Sequence, residues 1–125
     1  MPKYPIEYLK IFNKECVKPL SDPSFQERVW LKGLGPEVSS IDEAITSFLE
    51  RCEIFIEYAD QQEGLQKEHI KMLRDLYDKV DDYRCSHLGV ADDKEVERVL
   101  SDPKWHKIQH EAKAVYEAIK TIYEP

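Results

Sequence analysis

Glycine is scarce, four in 125 residues, too few for the many turns of a small all-β sandwich. No run approaches the ~18 uninterrupted apolar residues of a membrane-spanning helix. The N-terminal stretch MPKYPIEYLK lacks the apolar core of a signal peptide, so neither a membrane span nor secretion by that route is expected. Cysteine is limited to Cys16, Cys52 and Cys85, far apart and with no C-x-x-C. That excludes a disulfide framework or a zinc finger and points to reduced thiols in a cytoplasmic protein. There is no G-x-S-x-G nucleophile motif. Gly33-Leu34-Gly35-Pro36 lacks the third glycine, the Lys-Ser/Thr pair and the preceding strand of a phosphate-binding loop, and reads as a turn. No cofactor and no catalytic residue is expected.

Heptad-like apolar spacing is abundant. With 42% hydrophobic residues spread along its length, the chain can bury one modest core, and residues 1–125 read as a single all-α domain, a bundle of five or six helices. The first helix is predicted over Pro5–Val17, with Ile6, Leu9, Phe12 and Cys16 on one side and Pro19 stopping it. A second starts at Pro23 and ends near Lys32, before Gly33 and Gly35. The third opens with Ser40 as N-cap and Glu43 three residues on. It runs to about Asp60 on a stripe of Ile41, Ala44, Ile45, Phe48, Cys52, Phe55, Ile56 and Ala59. The fourth is predicted from Glu63 to Arg84, followed by a loop over Ser86–Ala91 and a short helix after Asp92. The last spans Pro103 to Tyr123 with Trp105, Ile108, Ala112, Val115, Tyr116, Ile119 and Tyr123 inward. Ser21-Asp22-Pro23 and Ser101-Asp102-Pro103 both read as helix starts, an oxygen to cap a free N–H and a proline for the first turn.

Histidine is the only source of metal or acid–base chemistry worth weighing. His106 and His110 stand four apart on one helix, but Lys107 occupies the place of the catalytic Glu of H-E-x-x-H. Both also project away from the Trp105/Ala112/Tyr116 face. No histidine has a Glu three residues before it, which removes the di-iron pattern. His69 shares a face with Leu65, Met72 and Leu76. It reads as a core-edge side chain with a local hydrogen bond, or alternatively as a buried base. A small helical metal protein or enzyme using His69 or the His106/His110 pair is the alternative to a binding function, and a generic helical adaptor is another.

The net charge is −7, which repels phosphate backbones and makes direct nucleic-acid binding a poor fit. The acidity is concentrated. Residues 37–60 carry seven acids and one base, and residues 75–97 carry eight acids and three bases. On the third helix Glu50, Glu53, Glu57 and Asp60 form one row opposite Phe48 and Cys52. On the fourth, Glu68, Asp75, Asp78 and Asp82 form a second, of which Asp75, Asp78 and Asp82 are the binding candidates. Like charges at these spacings cost an isolated helix ~0.2–0.5 kcal/mol per pair. The last helix mixes Lys107, Glu111, Lys113, Glu117 and Lys120, as a merely solvated face does. The acidic rows therefore read as a surface for a basic macromolecule, with solvation alone as the alternative. Trp30 or a tyrosine is a candidate aromatic anchor within such a surface, and a place in the core is an equal alternative for Trp30.

The segment Phe25–Ala44, through Arg28-Val29-Trp30, Gly33, Gly35-Pro36-Glu37-Val38, Ser40 and Asp42-Glu43, resembles one in small bacterial immunity proteins of contact-dependent growth inhibition and related polymorphic toxin systems. The resemblance covers about a sixth of the chain. It implies a small, cytoplasmic, non-enzymatic protein whose partner is a cognate toxin domain, often a nuclease with a basic surface, neutralised by occlusion of its active site or substrate path.

Overall fold

The computed structural model describes residues 4–35, 40–87 and 93–125, without the side chains of residues 85–87, 93 and 94. Residues 86 and 87, expected to open a loop, instead end a helix; the rest of that loop, residues 88–91, the helix start at Asp92, the Cys85 thiol and residues 36–39 of the resemblance lie outside those limits. The fold is all-α. Helix α1 spans residues 6–21 and α2 residues 23–31; α3 is Ile41–Glu57, α4 Lys67–His87, α5 Asp93–Leu100 and α6 Pro103–Tyr123.

Four of these close a ring: α1 packs on α3, α3 on α4, α4 on α6, and α6 on α1. Inside the ring sit Leu9, Phe12, Ile45, Phe48, Cys52, Leu73, Leu76, Ala112, Val115 and Ile119. The predicted stripes of α3 and α6 are thus the buried ones. Helices α2 and α5 pack on each other and cover the start of α6, where Trp30 lies against Trp105 with centroids 6.2 Å apart. The helix starts expected at Asp22 and Asp102 are real caps: Asp22 Oδ1 accepts from Phe25 N at 3.1 Å and Asp102 Oδ1 from Lys104 N at 3.0 Å. Ser40 Oγ likewise accepts from Glu43 N at 3.2 Å. Tyr83 Oη donates to the other oxygen of Asp102 at 2.9 Å, tying α4 to the cap of α6.

Three expectations are corrected. Pro19 does not stop the first helix, which continues to Ser21 through a widened π-turn at Asn13–Val17. Proline removes an N–H and its ring crowds the carbonyl four residues back. The wider turn just ahead of it shifts the hydrogen-bond register, with Lys18 N donating to the Asn13 carbonyl, so the chain passes Pro19 without breaking. The fourth helix starts at Lys67 rather than near Glu63, because Ala59–Gln61 forms a 3-10 turn and Gly64 adopts φ +83°. A Cβ at Gly64 would strike Ile122, so the linker crosses tightly over α6. Trp30 is buried in the core and is unavailable as an anchor.

Two buried amides hold the ring together. Gln26 is fully buried and all its valences are used. Its Oε1 accepts from Trp105 Nε1 at 2.9 Å and Gln109 Nε2 at 2.7 Å, and its Nε2 donates to the carbonyls of Pro19 and Leu20, both at 2.9 Å. One side chain of α2 thereby joins α1 to α6. Asn13, in the π-turn, donates to the Tyr116 carbonyl at 3.1 Å and to Tyr123 Oη at 2.9 Å.

Candidate functional site

Helix α3 carries two surfaces side by side. Its outer ridge is Glu50, Glu53 and Glu57, all exposed. On the α4 flank of the ridge stands Tyr77, whose Oη donates to Glu53 Oε1 at 2.8 Å. That bond, followed by burial and the nearby Glu53 and Asp81 charges, pushes the Tyr77 hydroxyl up to about 12. A shallow cleft runs along this side, lined by Glu50, Glu53, Ile54, Ile56, Glu57 and Tyr77.

On the α1 flank the ridge drops into a second, apolar cleft of ≈ 220 Å³, floored by Phe12 and Phe55 and walled by Tyr4, Tyr8, Ile11, Ile54 and Tyr58. Tyr8, Ile11, Ile54 and Tyr58 are 53%, 46%, 51% and 38% exposed. Of the five large apolar side chains that are exposed among the described residues, these four share one cleft and Leu34 lies apart. The rings are set edge-on, Tyr4 to Tyr8 at 5.9 Å and Tyr4 to Tyr58 at 6.4 Å between centroids. Backbone bonds fix Tyr4 in place: its N–H donates to the Gln61 carbonyl at 2.8 Å and its carbonyl accepts from Glu63 N at 3.1 Å. Gln62, between them, donates to the Pro5 carbonyl at 3.1 Å. Its own Oε1 is buried and has no hydrogen-bond partner among the described residues. Arg51 closes one end of the cleft.

All seven carboxylates singled out from the sequence, Glu50, Glu53, Glu57, Asp60, Asp75, Asp78 and Asp82, are exposed. None forms an ion pair among the described residues, whereas Lys32 pairs with Glu27, Lys79 with Glu111, Arg84 with Asp81, Arg98 with Glu95 and Lys120 with Glu124. Geometry divides the seven. Glu50, Glu53 and Glu57 line one cleft. Asp60 follows in the 3-10 turn beyond the helix. Asp78 lies near enough to α3 to raise the Cys52 thiol, though burial is the larger cause there and the thiol stands at about 12. Asp82 lines a different cleft, among Lys79, Lys104, Lys107, His106 and His110.

The histidines have local roles. His69 Nδ1 accepts from Gln66 N at 3.0 Å and so caps the start of α4. His106 Nε2 contacts the Leu100 carbonyl at 2.7 Å, and His110 is exposed. Among the described residues no three potential ligands converge on a metal position. Cys16 and Cys52 are buried and unpaired, and burial raises both thiols. Cys52 donates to the Leu73 carbonyl at 3.8 Å. No helix among the described residues is long and apolar enough to cross a membrane.

The apolar cleft escaped the sequence reading, which followed the buried stripes. A signal was there: Tyr8 with Ile11, and Ile54 with Tyr58, are apolar pairs at helical spacing lying off those stripes. No known protein family, curated protein or solved structure matches the chain.

Proposed function

We propose that the protein binds and neutralises the basic domain of a cognate toxin, as an immunity protein does, using the outer face of α3. One observation carries the reading: among the described residues, Glu50, Glu53 and Glu57 stand exposed and without an ion-pair partner, beside a cleft that holds four of the five exposed large apolar side chains. Carboxylates held at one-turn spacing raise the local negative potential, which speeds encounter with a cationic surface. Apolar contact then slows dissociation. The carboxylates take the place of the toxin's anionic substrate, so bound toxin is blocked stoichiometrically and no chemistry is asked of this chain. Asp75 and Asp78 extend the field along α4.

The test is co-expression with the product of the gene directly upstream, where a toxin partner is expected. Wild-type protein should co-purify with it and protect the cell. A Glu50→Lys, Glu53→Lys, Glu57→Lys variant should keep its helical circular dichroism, associate more slowly and lose protection. Full protection by that variant would remove the ridge from the mechanism.

A further inference from the structure

The apolar cleft between α1 and α3 has no assigned occupant. At ≈ 220 Å³ it is smaller than the ~300–1,000 Å³ of sites for drug-sized ligands or cofactors, and suits one large side chain. Its walls are tyrosine and isoleucine held in fixed positions, with Tyr4 pinned by two backbone bonds. Tyrosine on a rigid frame gives large contact area at small entropic cost, which is how interface hot spots are built. Two further features narrow the occupant. Gln62 is 4% exposed and its Oε1 lacks a partner, an acceptor whose desolvation is uncompensated until a donor arrives. Ile54 belongs to this cleft and also to the acidic one, so whatever enters beside Ile54 has neighbours facing Glu50, Glu53 and Glu57. Arg51 is the one cation lining either cleft, so three carboxylates outweigh it.

We propose that the cleft is the anchor site for a single donor-bearing aromatic side chain, tryptophan before tyrosine, projecting from a basic protein surface and flanked there by arginine or lysine. The aromatic ring packs between Tyr8, Ile11, Ile54 and Tyr58, and its N–H or O–H becomes the donor for Gln62 Oε1 once that amide, closed off from solvent in the free protein, turns into the cleft it lines. The flanking cations reach the α3 ridge. The proposal rests on the preceding reading only for the partner's charge.

A probe that needs no toxin tests it. The capped peptides Arg-Arg-Trp-Arg-Arg, Arg-Arg-Leu-Arg-Arg and Asp-Asp-Trp-Asp-Asp are titrated into the full chain and followed by amide chemical shifts. The first is expected to perturb residues of 4–12 and 50–62, the leucine peptide to bind several-fold more weakly there, and the acidic peptide not to bind. Ile54→Ala and Tyr58→Ala, both at exposed positions, should each weaken the first peptide about tenfold with unchanged circular dichroism. No perturbation at the cleft, equal binding of basic and acidic peptides, or indifference to both substitutions would each overturn the proposal. In the toxin assay the two readings separate: protection lost in the lysine triple variant but kept in Tyr58→Ala sustains the acidic ridge and sinks the anchor.

Discussion

Neutralising Glu53 and Glu57 together, as Glu53→Gln with Glu57→Gln, should make the protein more stable and less protective. Glu53 faces Glu50 at i−3 and Glu57 at i+4 on α3. Each such like-charge pair costs ~0.2–0.5 kcal/mol, so ~0.4–1 kcal/mol of repulsion is removed. Glu57 is also the last residue of a helix with no base in its final turn, where a negative charge meets the negative end of the macrodipole at a cost of ~0.3–1 kcal/mol. The acceptor for Tyr77 survives, because glutamine keeps an oxygen where Glu53 Oε1 now accepts. The sum is a gain of about 1 kcal/mol, or ~3–5 °C in Tm for a chain of this size. Thermal and urea unfolding measure it. At 1 M salt, where screening acts within ~3 Å, the gain should largely vanish. A double variant that is destabilised, or whose gain is independent of salt, would refute the electrostatic argument. A variant that is stabilised and protects as fully as wild type would show that the ridge is kept for something other than the toxin.

Gln26→Leu should lower stability by about 3 kcal/mol, read as a fall in the urea midpoint at unchanged slope. It strands the Trp105 indole N–H, the Gln109 amide and two carbonyls inside the protein, each worth ~1–3 kcal/mol when buried unpaired, with relaxation and water entry recovering part. Tyr77 gives a pH signature: its hydroxyl is pushed up to about 12 from the ordinary tyrosine value of 10, so its neutral form is favoured in the folded state. The stability this contributes is complete below pH 10 and is lost as pH rises from 10 to 12; Glu53→Ala should narrow that window, as measured by urea midpoints across alkaline pH.

How far the sequence led depended on whether the burial was apolar. In α3 and α6 a single stripe of Ile, Phe, Leu, Trp and Val faces the ring interior, and such a stripe repeats at the helical period. Capping was legible for the same reason, since Asp22, Ser40 and Asp102 act within three residues of themselves. What failed to show was non-local or non-periodic. Gln26 bonds to residues 79 and 83 positions away, and nothing in its neighbourhood marks it as buried. The π-turn before Pro19 is a response to the proline that leaves the chain helical, where a local reading sees only a breaker. The ridge carboxylates could be named because their own spacing defines them. The apolar cleft could not, because it exists only once residues 4–11 are stitched to 61–63 beside α3.

Asp82 changes how the whole charge pattern acts. It sits among Lys79, Lys104, Lys107, His106, His110 and Glu111 on the α4–α6 side, where Lys79 pairs with Glu111 and Lys104 and Lys107 outweigh Asp82 to leave a weakly basic cleft, while Glu50, Glu53 and Glu57 occupy the outer face of α3. In the ring order α1, α3, α4, α6, helices α3 and α6 are not neighbours, and the weakly basic cleft of α4 and α6 shares no lining residue with the acidic one. A net charge of −7 alone would draw a basic partner to any side of the protein. For the basic partner proposed above, a weakly basic cleft away from the ridge would disfavour approach from that side and so favour an encounter complex with α3 foremost. Orientation before contact removes much of the search that otherwise limits association. On this argument, reversing Lys104 and Lys107 to Glu raises the total negative charge yet does not raise the productive association rate in proportion. An acceleration that follows net charge alone would show that the distribution plays no part.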